Sequence, residues 1–150
     1  MPHSHPSPKS DEKQVRLAVE KCREAGLRKT RALVDLLAEM VEQRRPLSLA
    51  QLAECDRLAG CDRATVYRLL VRLESNGIVR RLGLHERSAF FTLLLPGEHR
   101  DYLICTECGT IDTIDIACPV EALEKEVQRK SGFRGLYHEL EFFGVCPSCA

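Results

Sequence analysis

The chain contains no tryptophan, and only 5% of its 150 residues are aromatic. It also lacks an apolar run of about twenty residues, the length that a membrane-spanning helix requires. Its first ten residues, MPHSHPSPKS, lack the basic and then apolar pattern of a secretory signal. We therefore expect a protein that stays in the cytoplasm and has no membrane partner.

Net charge is absent as well, because 22 Lys and Arg residues balance 22 Asp and Glu residues. This balance hides an asymmetry between the two halves. Residues 1–95 carry 17 basic and 12 acidic side chains, whereas residues 96–150 carry 5 basic and 10 acidic ones. A basic first half favours contact with a polyanion such as nucleic acid.

The apolar pattern predicts an α+β fold in two domains. Residues 1–12 hold Pro, Ser and His without periodicity, which is typical of a disordered tail. Residues 13–94 predict four helices and then a β-hairpin that turns at His85-Glu86-Arg87, which is the order of a winged helix-turn-helix. Residues 95–98, Leu-Pro-Gly-Glu, follow neither the helical nor the strand period of apolar residues, and they predict a hinge. Residues 99–150 then form the second, smaller α/β domain.

Local signals define the helices of the first domain. Ser48 and Gln51 form a capping-box pattern that opens the third helix. Asp62 is a plausible N-cap for the fourth helix, which Asn76-Gly77 ends. Apolar residues recur at the helical period in the second helix at Leu33, Leu36, Leu37 and Met40, and in the fourth at Val66, Leu69, Leu70 and Leu73.

In the second domain, strands are predicted at Tyr102–Cys105, Thr110–Asp115 and Leu136–Phe143. Pro119 suits the first turn of a helix that Gly132 ends. Val120, Leu123 and Val127 are expected to form the core face of that helix.

The fourth helix carries a basic face. Thr65, Arg68 and Arg72 are spaced three and four apart, so they share the side opposite the apolar stripe. Arginine on such a face can hydrogen-bond guanine edges or phosphates in the major groove, and a basic hairpin follows. Tyr67 could reach a phosphate or pack on the neighbouring helix. The candidate DNA-binding residues are Thr65, Tyr67, Arg68, Arg72, Arg80 and Arg81.

Eight cysteines without an export signal favour metal binding over a disulfide framework. Cys105 and Cys108 form one C-x-x-C pair, and Cys146 and Cys149 form another. Four thiolates at this spacing can close a tetrahedron around one structural zinc ion per chain. The 37 residues between the pairs leave room for a strand, a helix and a strand. A redox-active dithiol is the alternative.

The other four cysteines show no such pairing. They are Cys22, Cys55, Cys61 and Cys118. Each lies on an apolar helix face or near a helix end, where a cysteine is more often a small buried hydrophobe than a ligand.

Several motifs, in order along residues 13–150, resemble the ferric uptake regulator family. In the first domain they are Gly26-Leu27-Arg28-Lys29-Thr30, Ala64-Thr65-Val66-Tyr67-Arg68-Leu69-Leu70 and Asn76-Gly77-Ile78-Val79. In the second they are Leu103-Ile104-Cys105 with Cys108-Gly109, Gly132-Phe133, and Gly144-Val145-Cys146 with Cys149. The resemblance implies a metal-dependent repressor. Its N-terminal winged helix would bind palindromic double-stranded DNA operators, and its second domain would form the homodimer.

The chain departs from this family at one metal site. The family carries His-His-Asp-His before the first cysteine pair, whereas this chain has His99-Arg100-Asp101-Tyr102. The family's inter-domain sensor takes ligands from positions now held by Arg100 and Tyr102, and from positions near Pro46 and Thr92. The resemblance therefore implies that this sensor is dismantled here.

The resemblance also implies a second metal site, which in this family lies in the domain that corresponds to residues 99–150. Its pattern matches His99, Asp101, Glu121 and His138, and implies a second divalent metal, zinc or iron. The alternative function is a thiol-redox or metal-independent regulator in which zinc is only structural. An enzyme is not expected, because no histidine shares a motif with a serine or cysteine nucleophile.

Overall fold

The computed structural model describes residues 8–83, 89–95, 100–114 and 116–150. The chain divides into two compact units, Met1–Glu98 and His99–Ala150. We call them the N-terminal unit and the C-terminal unit. Within the described residues, every helix is too short or too polar to cross a bilayer.

The N-terminal unit contains four α-helices and a single 3-10 turn among its described residues. They are α1 Pro8–Glu24, α2 Arg31–Gln43, α3 Leu49–Glu54, the 3-10 turn Asp56–Leu58 and α4 Arg63–Ser75. Because α1 begins at Pro8, the expectation of a disordered tail through residue 12 is wrong for residues 8–12. Residues 1–7 lie outside the described part.

Side-chain caps fix where the helices begin. The hydroxyl of Thr30 accepts the backbone N–H of Leu33 at 3.2 Å at the start of α2. Ser48 and Gln51 form the predicted capping box of α3, with both reciprocal hydrogen bonds present. Asp62 caps α4 by accepting the N–H of Thr65 at 2.6 Å. These starts were predictable because each depends on residues only three positions apart.

Three strands complete the N-terminal unit: β1 Leu47–Ser48, β2 Val79–Leu82 and β3 Phe90–Leu93. They form an antiparallel sheet in the order β1-β3-β2. The turn predicted at His85-Glu86-Arg87 lies outside the described residues. Helices α2 to α4 followed by this sheet confirm the winged helix-turn-helix.

One core holds the N-terminal unit together. It joins the apolar stripes of α2 and α4 to Phe91 of β3, and Cys22 of α1 is buried in it. Cys55 and Cys61 pack against its edge. Cys22 is therefore a buried core residue, as predicted, whereas Cys55 and Cys61 are only partly buried. Burial raises the pKa of Cys22 and of Cys55.

The C-terminal unit has three strands and one helix among its described residues. They are β4 Tyr102–Cys105, β5 Ile111–Thr113, α5 Glu121–Ser131 and β6 Glu141–Gly144. The central strand β4 is antiparallel to β5 and parallel to β6. Gly132 ends α5 at a φ of 73°, a left-handed conformation that glycine adopts without strain.

Two expectations for this unit are wrong. The last strand begins at Glu141 rather than Leu136, so His138 lies in the segment before β6 and not on it. The apolar face of α5 is also not buried within the chain, because Leu123 is 55% exposed and Val127 is 42% exposed. The described part of the C-terminal unit buries only Asp101, Tyr102, Ile104 and Cys105.

Candidate functional site

The exposed face of α4 is the first candidate site. Val66, Leu70 and Leu73 are fully buried, which turns the opposite side of the helix to solvent. On that side Arg68 and Arg72 are exposed and Thr65 is half-buried. An Arg68 guanidinium N–H donates to the Thr65 hydroxyl at 3.3 Å. The predicted basic face is therefore present on the solvent side of α4, with Thr65 and Arg68 in its first half and Arg72 in its last turn.

The hairpin beside α4 holds its two arginines differently. Arg81 pairs with Glu74 of α4 at 3.1 Å, and its guanidinium lies 5.2 Å from the centre of the Phe91 ring. Arg80, the neighbouring residue on β2, alternates to the other side of the strand. Tyr67 on α4 is 46% exposed. Arg81 thus ties the hairpin to α4, a role that the sequence did not reveal.

The four cysteines of the two C-x-x-C pairs meet at one end of the C-terminal sheet. Their sulfur atoms all lie within 4.8 Å of one another. The reason is the parallel pairing of β4 with β6, which sets Cys105 opposite Gly144 just before the second pair. Gly109, at a φ of 74°, lets the chain turn back after the first pair. We call Cys105, Cys108, Cys146 and Cys149 the four-cysteine cluster.

The geometry of this cluster fits zinc. Zinc–sulfur bonds of about 2.3 Å in a tetrahedron separate the sulfurs by about 3.8 Å. The sulfurs of Cys108 and Cys146 are 3.8 Å apart. A closed set of four thiolates leaves no open position, which is the mark of a structural zinc site.

Electrostatics prepare the cluster for a cation. Backbone N–H groups of Cys108 and Cys146 donate to the Cys105 sulfur and lower the pKa of that thiol to about 6. Hydrogen bonding with the side chain and the backbone of Thr110 lowers the pKa of Cys108. Hydrogen bonding with Cys146 and Cys108 raises the pKa of Cys149 to about 12. Four sulfurs this close cannot all carry a negative charge without strong mutual repulsion. A bound cation offsets this repulsion and allows all four to be thiolates.

A second cluster lies at the opposite end of β4. It consists of Asp101, Cys118 and His138, whose potential ligand atoms lie within 4.8 Å of one another. Asp101 directly precedes β4, and the N–H of Tyr102 donates to the carbonyl of Leu140 at 3.0 Å, just before β6. The same strand pairing therefore brings Asp101 and His138 together. Cys118 joins them from the connection between β5 and α5.

The contacts of His138 differ from those that the family pattern implies. Its Nε2 lies 3.0 Å from the Cys118 sulfur, and its Nδ1 contacts a carboxylate oxygen of Glu124. Glu121 instead pairs with Lys125 at 2.8 Å and leaves 65% of its side chain exposed. His99 lies outside the described residues. Of the four predicted residues, the structure thus brings together Asp101 and His138 and leaves Glu121 outside the cluster.

Cys118 is the residue that the sequence analysis missed. It was interpreted as a small hydrophobe, but its sulfur faces a buried carboxylate and an imidazole. No motif around Cys118 predicts these contacts, because its partners are distant in the sequence. His138 is 20 positions away, and Asp101 directly precedes β4. Tyr102 and Thr92, which stand at two positions named above for the family's inter-domain sensor, are both buried side chains.

Comparison with known proteins agrees with this architecture. The model of the ferric uptake regulator family matches residues 24–143. A ferric uptake regulation protein of Legionella pneumophila is 31% identical over 134 residues, covering 87% of this chain and 96% of that protein.

Solved structures give the same result. The ferric uptake regulator of Pseudomonas aeruginosa with manganese has a TM-score of 0.64 and 28% identity, covering 87% of this chain and 98% of that one. That of Francisella tularensis with iron has a TM-score of 0.59 and 30% identity, covering 83% and 95%. The chain therefore belongs to the ferric uptake regulator family of metal-responsive transcription regulators.

Proposed function

We propose that this protein is a DNA-binding repressor that binds palindromic operators as a homodimer in the cytoplasm. The observation that carries the proposal is the exposed basic face of α4, held by a buried apolar face and a capped start. In winged helix-turn-helix proteins the helix in this position enters the major groove. The order of α3, α4 and the hairpin supports assigning this role to α4.

Within this proposal the basic residues have different tasks. Arg68 and Arg72 lie on the face that would meet base edges, where Thr65 positions Arg68 through their hydrogen bond. Arg80 would contact the backbone from the hairpin, and Tyr67 a phosphate. Arg81 acts indirectly, because its contacts with Glu74 and Phe91 hold the hairpin against α4.

The C-terminal unit supports the homodimer. Nine of its large apolar side chains are at least 42% exposed, whereas the described part of the N-terminal unit exposes only Leu17 and Tyr67 to that degree. Exposed apolar area of this extent is typical of a surface that another protein covers. A twofold dimer gives two α4 helices related by symmetry, which matches a palindromic operator.

A regulator that does not respond to metal is the second candidate. It is favoured by the burial of Tyr102 and Thr92, which stand where the family's inter-domain sensor takes ligands. In that case the four-cysteine cluster holds zinc only as a structural element. Catalysis is not part of either candidate. The two candidates differ in whether added metal changes operator affinity.

The test is a titration of duplex DNA with the full chain, using a palindrome selected from a random pool and a scrambled duplex. Arg68→Ala should cost about 1–3 kcal/mol on the palindrome and much less on the scrambled duplex, because a base contact is sequence-specific. Arg129→Ala, which removes the same charge from exposed α5, is the control and should change neither affinity.

Two outcomes would contradict the proposal. If the wild type shows no preference for any duplex over random DNA, the protein is not an operator-binding regulator. Equal losses on both duplexes for Arg68→Ala would mean that α4 is not the element that distinguishes the sequence.

A further inference from the structure

We propose that Cys118, and not Glu121, completes a metal site with Asp101 and His138, and that its thiolate makes this site select zinc over manganese or magnesium. Any effect of this metal on DNA binding rests on the proposed function. The metal binding itself is argued from the C-terminal unit alone.

The donor set determines the class of metal. Thiolate, imidazole and carboxylate are the three ligand types that zinc accepts in proteins, whereas manganese and magnesium prefer oxygen donors. Asp101 and Cys118 are anionic when they bind a metal, and His138 is neutral. A divalent cation therefore balances the charge of the three donors. Three protein ligands also leave a fourth position for water or another donor, so this zinc is exchangeable.

The geometry is close to that of a bound state. A tetrahedral zinc with bonds of about 2.3 Å to sulfur and about 2.05 Å to nitrogen separates the two atoms by about 3.5 Å. The Cys118 sulfur and His138 Nε2 are 3.0 Å apart. Zinc entry needs an opening of about 0.5 Å, which small side-chain rotations supply.

Glu124 acts as a positioning residue. Its carboxylate contacts Nδ1 of His138, which leaves Nε2 directed at Cys118. Carboxylates commonly hold a zinc-binding histidine in this way, by accepting the proton of the other ring nitrogen. Glu121 lies one helical turn away and pairs with Lys125 on the exposed side of α5.

The competing explanation is a reactive thiol. Cys118, His138 and Glu124 follow the order of nucleophile, base and orienting carboxylate. Asp101 argues against it, because this carboxylate is only 5% exposed and lies within 4.8 Å of the sulfur and the imidazole, yet it has no task in that order of nucleophile, base and orienting carboxylate. The same carboxylate is an advantage when a divalent cation lies between the three groups.

The test uses the full chain with the four-cysteine cluster loaded with zinc and titrates in cobalt(II) as a spectroscopic probe. Wild type should develop a near-ultraviolet band from one thiolate-to-cobalt bond while the cluster zinc stays bound. Cys118→Ser should lose this band and bind zinc at the site more than about 100-fold less tightly, since even outer partners of a ligand contribute about 10–100-fold. Glu121→Gln and Cys61→Ser are matched controls and should behave as wild type.

A second measurement covers a failure of Cys118→Ser to fold. In wild type, one equivalent of zinc beyond the cluster should protect Cys118 from alkylation, while manganese should not. The inference is overturned if zinc gives no protection, if the cobalt band survives Cys118→Ser, or if Glu121→Gln weakens binding as much.

These outcomes are separable from those of the proposed function. Zinc bound through Cys118 without any change in duplex affinity would leave the site intact and overturn its regulatory role. Normal operator binding without a thiolate–cobalt band would overturn the Cys118 site alone.

Discussion

The four cysteines of the cluster differ in how firmly the backbone holds them. Cys105 is buried at the end of β4 and its sulfur accepts two backbone N–H groups. Cys108 and Cys149 are exposed on the turns. A bound zinc ion is thus the main restraint on the two exposed thiols and, through them, on the two turns.

Cys108→Ser should therefore lose the tightly held zinc and unfold or dissociate the C-terminal unit, because binding and folding of a structural zinc site are coupled. Metal content after mild chelation and the melting temperature measure this. Cys61→Ser, at the edge of the N-terminal core, is the control and should keep its zinc. A stable Cys108→Ser protein with unchanged melting would show that the cluster is not structural.

Residue-level prediction from the sequence succeeded where the signal was local. The C-x-x-C pairs predict a metal site and Asp62 predicts a helix N-cap, and in each case the residues that interact are only three positions apart. Cys118 and Glu124 have no such signal, because their partner His138 is 20 and 14 positions away and is reached only after the chain has folded. The sequence pattern predicted Glu121 in the cluster, but the structure has Cys118 there and pairs Glu121 with Lys125. Sequence spacing does not determine which of these side chains points towards His138.

At the level of elements, caps at the ends of short helices carry measurable stability. The α3 helix spans only Leu49–Glu54, so its capping box satisfies a large share of its free backbone groups. Such short helices depend on their ends and on tertiary contacts, and Leu52 supplies the latter.

Ser48→Ala should lower the free energy of unfolding of the N-terminal unit by about 1 kcal/mol, the usual loss for an N-cap. Hydrogen exchange of core amides in α2 and α4 measures it. Ser75→Ala is a matched control at the C-terminal end of a different helix, α4, where the hydroxyl donates back to the carbonyl of Val71. Equal effects from both substitutions would show that the capping box is not the source of the loss.

Element boundaries were predictable to different degrees. The helical period and caps located α2 and α4, since both signals lie within the element. The start of β6 was placed too early, because residues 136–139 alternate like a strand but lie outside the ladder with β4. That ladder begins with the hydrogen bond from Tyr102 to the carbonyl of Leu140 and pairs Tyr102 with Glu141. Pairing partners, rather than alternation, decide where this strand begins.

At the scale of the whole molecule, the C-terminal unit presents an apolar surface that the proposed dimer would bury. Leu123 and Val127 on α5 repeat at helical spacing and were predicted to face a core. The helical period of these apolar residues was predicted correctly. Within the described residues of one chain, however, this face of α5 is left largely exposed. Intramolecular and intermolecular burial produce the same pattern, so the sequence alone did not distinguish them.

Val127→Glu should convert the proposed dimer into a monomer, because a charge in an apolar interface must be desolvated without a partner. Light scattering during gel filtration measures the mass. Leu17→Glu on α1 is a matched control, since Leu17 and Val127 are both 42% exposed. A Val127→Glu protein that is still dimeric would place the dimer surface elsewhere.

The parallel pairing of β4 with β6 has a further consequence, for the order in which the chain folds. Thr106 and Gly144, which hydrogen-bond across these strands, are 38 positions apart, whereas β4 and β5 form a local hairpin. Closing the longer loop requires more chain entropy and is slower than local pairing. We therefore expect the hairpin with Cys105 and Cys108 to form before β6 pairs, and zinc bound to this first pair to favour the return of the second pair. In that case the C-terminal unit should refold faster when zinc is supplied than when it is chelated.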